Sequence, residues 1–220
     1  MSEIQKRSLT EQVYLALRKD IIEQRVKCGE KLTIRALQDR FGVSSSPIRE
    51  AMNRLYQDGL LEYYTNQGAK VIEIDETDIV EIYDFCMELD CIAIKFALRN
   101  TSFEEIAAEL DKSICEQKKA IASTDTDAFK EASDEFHIVF YNHANNSRLV
   151  RAAEKIRGQF SILTSKYQDI EEGKAEILKG HEAIYQAIAD QDENAALSSM
   201  REHFAQSKRL CLDTFQNGRA

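Results

Sequence analysis

The chain carries four histidines, and all of them lie beyond residue 130: His137, His143, His181 and His203. His181 precedes Ile184, Tyr185 and Ile188, and His203 follows Leu197 and Met200, so each sits on the apolar side of a helical pattern. His137 falls in a third helical segment. Three imidazoles from three helices can converge in a bundle core, where helical bundles build their metal sites. Neutral imidazole nitrogens suit Zn²⁺, Ni²⁺ and similar divalent ions. The plainer alternative is three partly buried histidines, each hydrogen-bonded to a neighbour. Three imidazoles on zinc could also activate a water, as in a metal-dependent hydrolase. No general-base glutamate at a recognised spacing accompanies them, so the chain is expected not to be an enzyme. His143, six residues after His137, points elsewhere on its helix and is expected at the surface or at a cap.

These histidines need helices to hold them, and everything after residue 75 reads as helix. Residues 78–99 carry Ile79, Ile82, Phe85, Leu89, Ile92 and Phe96 at helical spacing. Further helices are expected over 103–122, from a cap at Thr124–Asp125 to 142, and over 146–167, 175–190 and 192–215. Helices of this length joined by short polar turns make an antiparallel bundle. A single proline and eight glycines fit a mainly α fold.

Residues 1–75 are patterned differently. A first helix is expected over 9–26, with Val13, Leu17 and Ile21 on one stripe. Thr33 can cap a short helix that turns Ile34 and Leu37 inward. Phe41, Gly42 and Val43 make a tight turn. Ser44 opens another helix with Pro47 in its first turn, where a missing N–H costs little. Ile48, Met52 and Leu55 form its buried stripe, and Ser45, Ser46, Arg49 and Asn53 its opposite face. Residues 60–64 and 69–74 then alternate like two strands of a β-hairpin. Helix, turn, helix and hairpin is a winged helix-turn-helix, which lays its second helix in the major groove of DNA. The amides and hydroxyls of Ser45 and Ser46 suit a phosphate. Arg49 can reach a phosphate or a guanine edge, and Arg35 lies on the helix that crosses the backbone.

The net charge of −9 divides unevenly. Residues 1–75 hold 12 basic and 11 acidic side chains, and the remainder 17 and 27, so the acidity belongs to the second part. A near-neutral head binds DNA if its positive charge lies on one face, with affinity falling steeply as salt rises. Five cysteines without a C-x-x-C pair point to a reducing, cytoplasmic setting. Cys86, Cys91 and Cys115 are expected as small core residues. No run of about 18 apolar residues is present and no apolar signal core opens the chain, so no membrane association is expected.

Residues 10–75 resemble the DNA-binding domain of the GntR family of bacterial transcription regulators. The resemblance is carried by Leu32, Leu37, Phe41, Gly42-Val43-Ser44, Pro47-Ile48-Arg49-Glu50-Ala51, Arg54-Leu55, Gly59-Leu60 and Gly68. It implies DNA contacts from Arg35, Ser44, Ser46 and Arg49, with Gly68 at the wing tip. The family usually has arginine at the position of Ser45, and basic residues at Asn66-Gln67.

Residues 77–215 are similar to the FCD domain, the helical effector-binding domain of the FadR-type branch of that family. The matching stretches are Phe136-His137, N-N-S-R-L over 145–149, H-E-A-I-Y-Q-A-I over 181–188, and M-R-E-H over 200–203. Metal-binding members hold the ion with an aspartate and three histidines. His137, His181 and His203 match the histidines. The aspartate normally stands four residues before the first of them, where this chain has Ser133. Asp134, one place later, is the candidate fourth ligand, and without it metal affinity would drop. The family's pocket arginine is replaced by Cys86. The effector pocket is therefore expected to use Tyr83, Cys86, Tyr141 and Arg148, with Arg151 and Arg157 as further candidates.

The resulting expectation is a DNA-binding head over 1–75 and an all-helical effector-binding and dimerisation domain over 76–220. The protein would be a dimeric, cytoplasmic regulator, by family habit a repressor. It would bind a palindromic operator and sense a small organic acid, with a divalent ion (Zn²⁺ or Ni²⁺) in the pocket. The substitution at Ser133 leaves a metal-free sensor of a larger, acyl-type ligand as the alternative.

Overall fold

The computed structural model describes residues 7–64, 68–169 and 171–217. In chain order the elements are α1 (Leu9–Ile22), β1 (Lys31–Leu32), α2 (Ile34–Phe41), α3 (Ser45–Gln57), β2 (Leu61–Tyr64) and β3 (Gly68–Val71). Six long helices complete the described chain: α4 (Glu76–Asn100), α5 (Phe103–Ala122), α6 (Thr126–His143), α7 (Ser147–Tyr167), α8 (Glu171–Ala189) and α9 (Glu193–Asn217). The described residues fall into two compact units. One comprises the chain up to Asp75 together with Glu154–Ile162 of α7, and the other takes the rest.

In the first unit, local chemistry sets the helix boundaries. The side chain of Ser8 accepts from the Glu11 amide and starts α1. The expected extension of this helix to residue 26 fails at Gln24, whose φ of +56° breaks the helical ladder. Thr33 caps α2 through the Ala36 amide, and Gly42, left-handed at φ +66°, ends it. Val13, Leu17, Ile21, Ile48, Leu55 and Leu61 are almost wholly buried, each contributing about 1.5–3 kcal/mol of apolar transfer. Asp20 ties α1 to Arg25 in the next loop and to Arg40 on α2 by ion pairs. Burial alone would raise the Asp20 carboxyl, but the two guanidiniums outweigh it and hold its pKa below the usual value.

The sheet is antiparallel in the order β1-β3-β2, with Leu61 opposite Val71 and Tyr64 opposite Gly68. The two-residue β1, pairing Leu32 with Ala69, is too short for any alternation to reveal in the sequence. The wing turn at residues 65–67, including Asn66-Gln67, lies outside the described residues. Within this unit Gln159 donates to the Gly59 carbonyl at 2.9 Å. A Cβ on Gly158 would meet Leu60 at 3.2 Å, so glycine permits the approach of α7 to that leucine.

In the second unit α4 packs against α6 and α9, α5 against α6 and α8, and α8 against α9. Ser102, Asp125 and Asn146 cap α5, α6 and α7 with side-chain oxygens. Tyr83, Phe129, Phe136, Phe140 and Ile79 are among its largest fully buried side chains. Cys86 and Cys91 are core residues as expected, whereas Cys115 is exposed. It stands on the outer side of α5, one residue beyond the buried Ile114. No helix among the described residues is long and apolar enough to cross a membrane.

Candidate functional site

His137 on α6, His181 on α8 and His203 on α9 are all buried, and one ring nitrogen from each lies within 4.8 Å of the others. Their ring centroids are 4.7–5.4 Å apart. His137 Nε2 and His181 Nε2 are 3.2 Å apart. Phe136 stacks on His181 with centroids 4.0 Å apart, and Phe204 meets His137 and His203 in T-shaped contacts. Burial, followed by the charges of His203 and His137, holds the His181 pKa well below 6.5. Burial and then His137 push His203 down to about 3, with Asp90 acting the other way. Both rings are therefore neutral bases at ordinary pH, the form in which imidazole binds a metal.

Asp134 does not join this cluster. It is exposed, because it follows Ser133, which faces the core at 4% exposure, and the next position on α6 turns outward. The carboxylate that meets the histidines comes from α4. Asp90 Oδ2 lies 2.6 Å from His137 Nδ1, and Asp90 Oδ1 accepts the Tyr141 hydroxyl at 2.5 Å. Gln117 on α5 makes the equivalent contact with His181, Oε1 to Nδ1 at 2.9 Å. Gly180 completes the surroundings, since a Cβ there would collide with His203 Nδ1 and lie 3.0 Å from its Cγ. Sequence reasoning does not single out Asp90, Gln117 or Gly180. The signal that could find them is an acid and an amide inside otherwise apolar stripes, and a glycine inside a helix, each needing a local reason.

Two nitrogens bound to one zinc ion at about 2.0–2.1 Å can be separated by at most about 4.2 Å. The His137–His181 pair already satisfies that, and the His203 donor stands within 4.8 Å of both, so a small movement of its ring lets the three buried histidines hold a divalent ion.

Of the expected effector residues, Tyr83, Cys86 and Tyr141 are buried, and Tyr83 meets Phe204 edge to face at 6.4 Å. Arg148 is exposed in the first turn of α7, where Asn146 caps its amide. Arg151 is also exposed, and Arg157 is half-buried. His143 ends α6 between the side chains of Thr101 at 3.0 Å and Glu109 at 3.2 Å. A groove of about 670 Å³ runs between α5 and α6, lined in part by Ser113, Glu116, Glu131 and Ala132.

On the head, Arg35, Ser44, Ser46, Arg49 and Gly68 are exposed and Ser45 is half-buried. Ser44 is the N-cap of α3 but makes no capping bond with its side chain. Ser46 donates to Glu50 at 3.1 Å, so its hydroxyl is already engaged. Gly68 opens β3 at φ +86°. Tyr63, an exposed residue of β2, feels the charge of Arg49 and extends the same face.

An arginine-bearing recognition helix with a wing, in one chain with a helical domain around three buried histidines, defines a DNA-binding regulator with a sensory domain. The comparisons agree. Residues 9–71 match the model of bacterial regulatory proteins of the gntR family, and residues 81–206 match the FCD domain. The chain belongs to the gntR family, in the group whose second part is an FCD domain. It is 28% identical over 195 residues to the HTH-type transcriptional regulator YdhC of Bacillus subtilis, covering 88% of this chain and 86% of that protein. It is 29% identical over 197 residues to the gluconate operon transcriptional repressor of Bacillus licheniformis, covering 86% and 79%. The solved structure of McbR/YncC from E. coli superposes with a TM-score of 0.79 at 22% identity, covering 96% of this chain and all of that one. The protein is thus a DNA-binding transcription regulator with an effector-binding domain.

Proposed function

We propose that the protein is a cytoplasmic repressor that binds a palindromic operator as a homodimer and responds to a small carboxylate. The carboxylate is bound beside a divalent ion held by His137, His181 and His203. The observation that carries this reading is the convergence of three buried imidazoles, two with Nε2 atoms 3.2 Å apart. When bound, the ion supplies a Lewis-acidic anchor for an anionic effector. Tyr83, Cys86 and Tyr141 shape the surroundings, while Asp90 and Gln117 hold two of the rings in place. Repression is supported by the naming of the Bacillus licheniformis relative as a repressor. Binding as a dimer pairs the twofold axis of the protein with that of the operator. Arg35, Arg49 and the Ser44–Ser46 turn contact the duplex, with Gly68 shaping the wing. The effector changes operator affinity to the extent that it prefers one arrangement of the two heads.

The test uses the full chain purified without a metal-affinity tag. Elemental analysis and thermal melting with added Zn²⁺ or Ni²⁺ probe the ion, and footprinting of the DNA upstream of its own gene probes the operator. A panel of small hydroxy- and keto-acids is then screened for release of the bound DNA. Stoichiometric metal, a symmetric footprint and release by one acid are expected. A footprint without metal binding, together with release by an acyl thioester, would favour the apolar-ligand alternative, which the substitution at Ser133 supports.

A further inference from the structure

Asp90 and Gln117 do more than fill space behind the histidines. A carboxylate oxygen can only accept, so the 2.6 Å contact of Asp90 Oδ2 puts a proton on His137 Nδ1. The orientation of Gln117 is fixed from its other end. Its Nε2 reaches Ser113 Oγ at 3.2 Å and the Ala132 carbonyl at 3.4 Å, and Ser113 Oγ donates to that same carbonyl at 2.7 Å. Turning the amide round would set Oε1 against a carbonyl that has no proton to give. Gln117 Oε1 therefore accepts from His181 Nδ1–H at 2.9 Å. A neutral ring protonated on Nδ1 has its lone pair on Nε2, and these two Nε2 atoms face each other across 3.2 Å. Two lone pairs at that separation repel unless a metal ion or a shared proton stands between them.

The geometry points to Asp90 and Gln117 as the positioning residues of the histidine cluster. Each fixes the Nδ1–H form of its ring and so aims Nε2 at a shared cation. Asp90 also supplies from α4 the negative charge that α6 lacks at Ser133. Partners of this kind orient metal ligands and raise their basicity, and losing one typically costs roughly ten- to a hundredfold in metal affinity. The cationic role rests on the metal reading given above, whereas the ring tautomers stand independently of it.

The experiment has two arms on the full chain. Long-range ¹H–¹⁵N spectra of chelator-treated protein labelled with ¹⁵N-histidine, assigned by replacing each histidine in turn, read the ring protons directly. His137 and His181 are both expected to carry a proton on Nδ1. A neutral ring protonated on Nε2 alone, in either residue, overturns the assignment. In the second arm a chromophoric chelator competes for Zn²⁺. Asp90→Asn and Gln117→Leu are each expected to bind zinc roughly ten- to a hundredfold more weakly than the wild type. Wild-type affinity in both variants overturns the positioning role. Should Asp90→Asn fail to fold, Gln117→Leu and the wild-type spectra still decide. A wild type that takes no zinc defeats the metal reading, and the spectra alone then judge the tautomers.

Discussion

His137 and His181 hold their Nε2 atoms 3.2 Å apart although 44 residues separate them in the chain. One ring rides on α6 and the other on α8, and each is fixed from behind, by Asp90 and by Gln117. A close nitrogen pair with no room for an intervening side chain is an arrangement that a cation stabilises.

The first prediction rests on that pair. A ligand that binds only the folded state adds about 2.7 kcal/mol when present at about 100 times its dissociation constant. Zn²⁺ or Ni²⁺ should therefore raise the melting temperature of the wild-type chain by several degrees. In His181→Ala the increment should vanish, because one of three donors is gone, while specific DNA binding by the metal-free chain persists. Differential scanning fluorimetry with and without metal measures the first, and gel-shift titration the second. An equal metal-induced rise in wild type and variant would contradict the assignment of His181.

The second concerns pH. The folded-state pKa values of His181 and His203 lie below the ordinary 6.5, that of His203 at about 3. A depressed pKa means that the unfolded chain takes up protons that the folded chain refuses. The metal-free fold keeps its full stability above about pH 6.5 and loses it as pH falls from there toward 3, by up to about 1.4 kcal/mol per unit for each histidine. Urea melts at pH 7.5, 6.0 and 5.0 should show this slope. Replacing His203 by glutamine, which does not titrate, should reduce it to the part that His181 contributes.

The histidines are recognisable from sequence because each stands at helical spacing beside isoleucine, leucine or methionine, and burial follows from that pattern. Convergence does not follow, since it depends on how α6, α8 and α9 pack. The partners are harder still. Asp90 is one residue of an inward stripe with Ile79, Ile82, Cys86 and Ala93, far along the chain from any histidine, whereas the family pattern directs attention to Asp134. That residue shares the helix with His137 but faces solvent, because one step on a helix turns a side chain by about 100°. The head is clearer. Caps, a turn glycine and the stripe of α3 are local signals, whereas the two-residue β1, the early end of α1 and the share that Glu154–Ile162 of α7 take in this unit escape them.

The third prediction concerns Gly180. A glycine inside a helix costs about 0.5–1 kcal/mol against alanine, and here His203 explains it. A Cβ at residue 180 would overlap His203 Nδ1 and stand 3.0 Å from its Cγ. Gly180→Ala should therefore displace the His203 ring. On helix propensity alone the change would stabilise the protein, so a lower melting temperature together with weaker zinc binding would mark the clash. A variant that melts higher and binds zinc unchanged would show that the ring has space to move.

The fourth prediction tests the head. Arg49 is exposed on α3, about one turn beyond the Ser44 cap, while Ile48 and Met52 of the same helix are buried. Removing its side chain opens no cavity, so Arg49→Ala should change stability by no more than about 0.5 kcal/mol. A bidentate contact to a base edge contributes about 1–3 kcal/mol of discrimination, so the variant should lose specific operator binding by about tenfold or more. A phosphate contact would behave differently, weakening specific and random DNA alike and reducing the dependence on salt. Gel-shift titrations of operator and random duplex at two salt concentrations separate these cases. Wild-type affinity for the operator in Arg49→Ala would remove this residue from the interface and leave Arg35 and the Ser44–Ser46 turn as the remaining candidates.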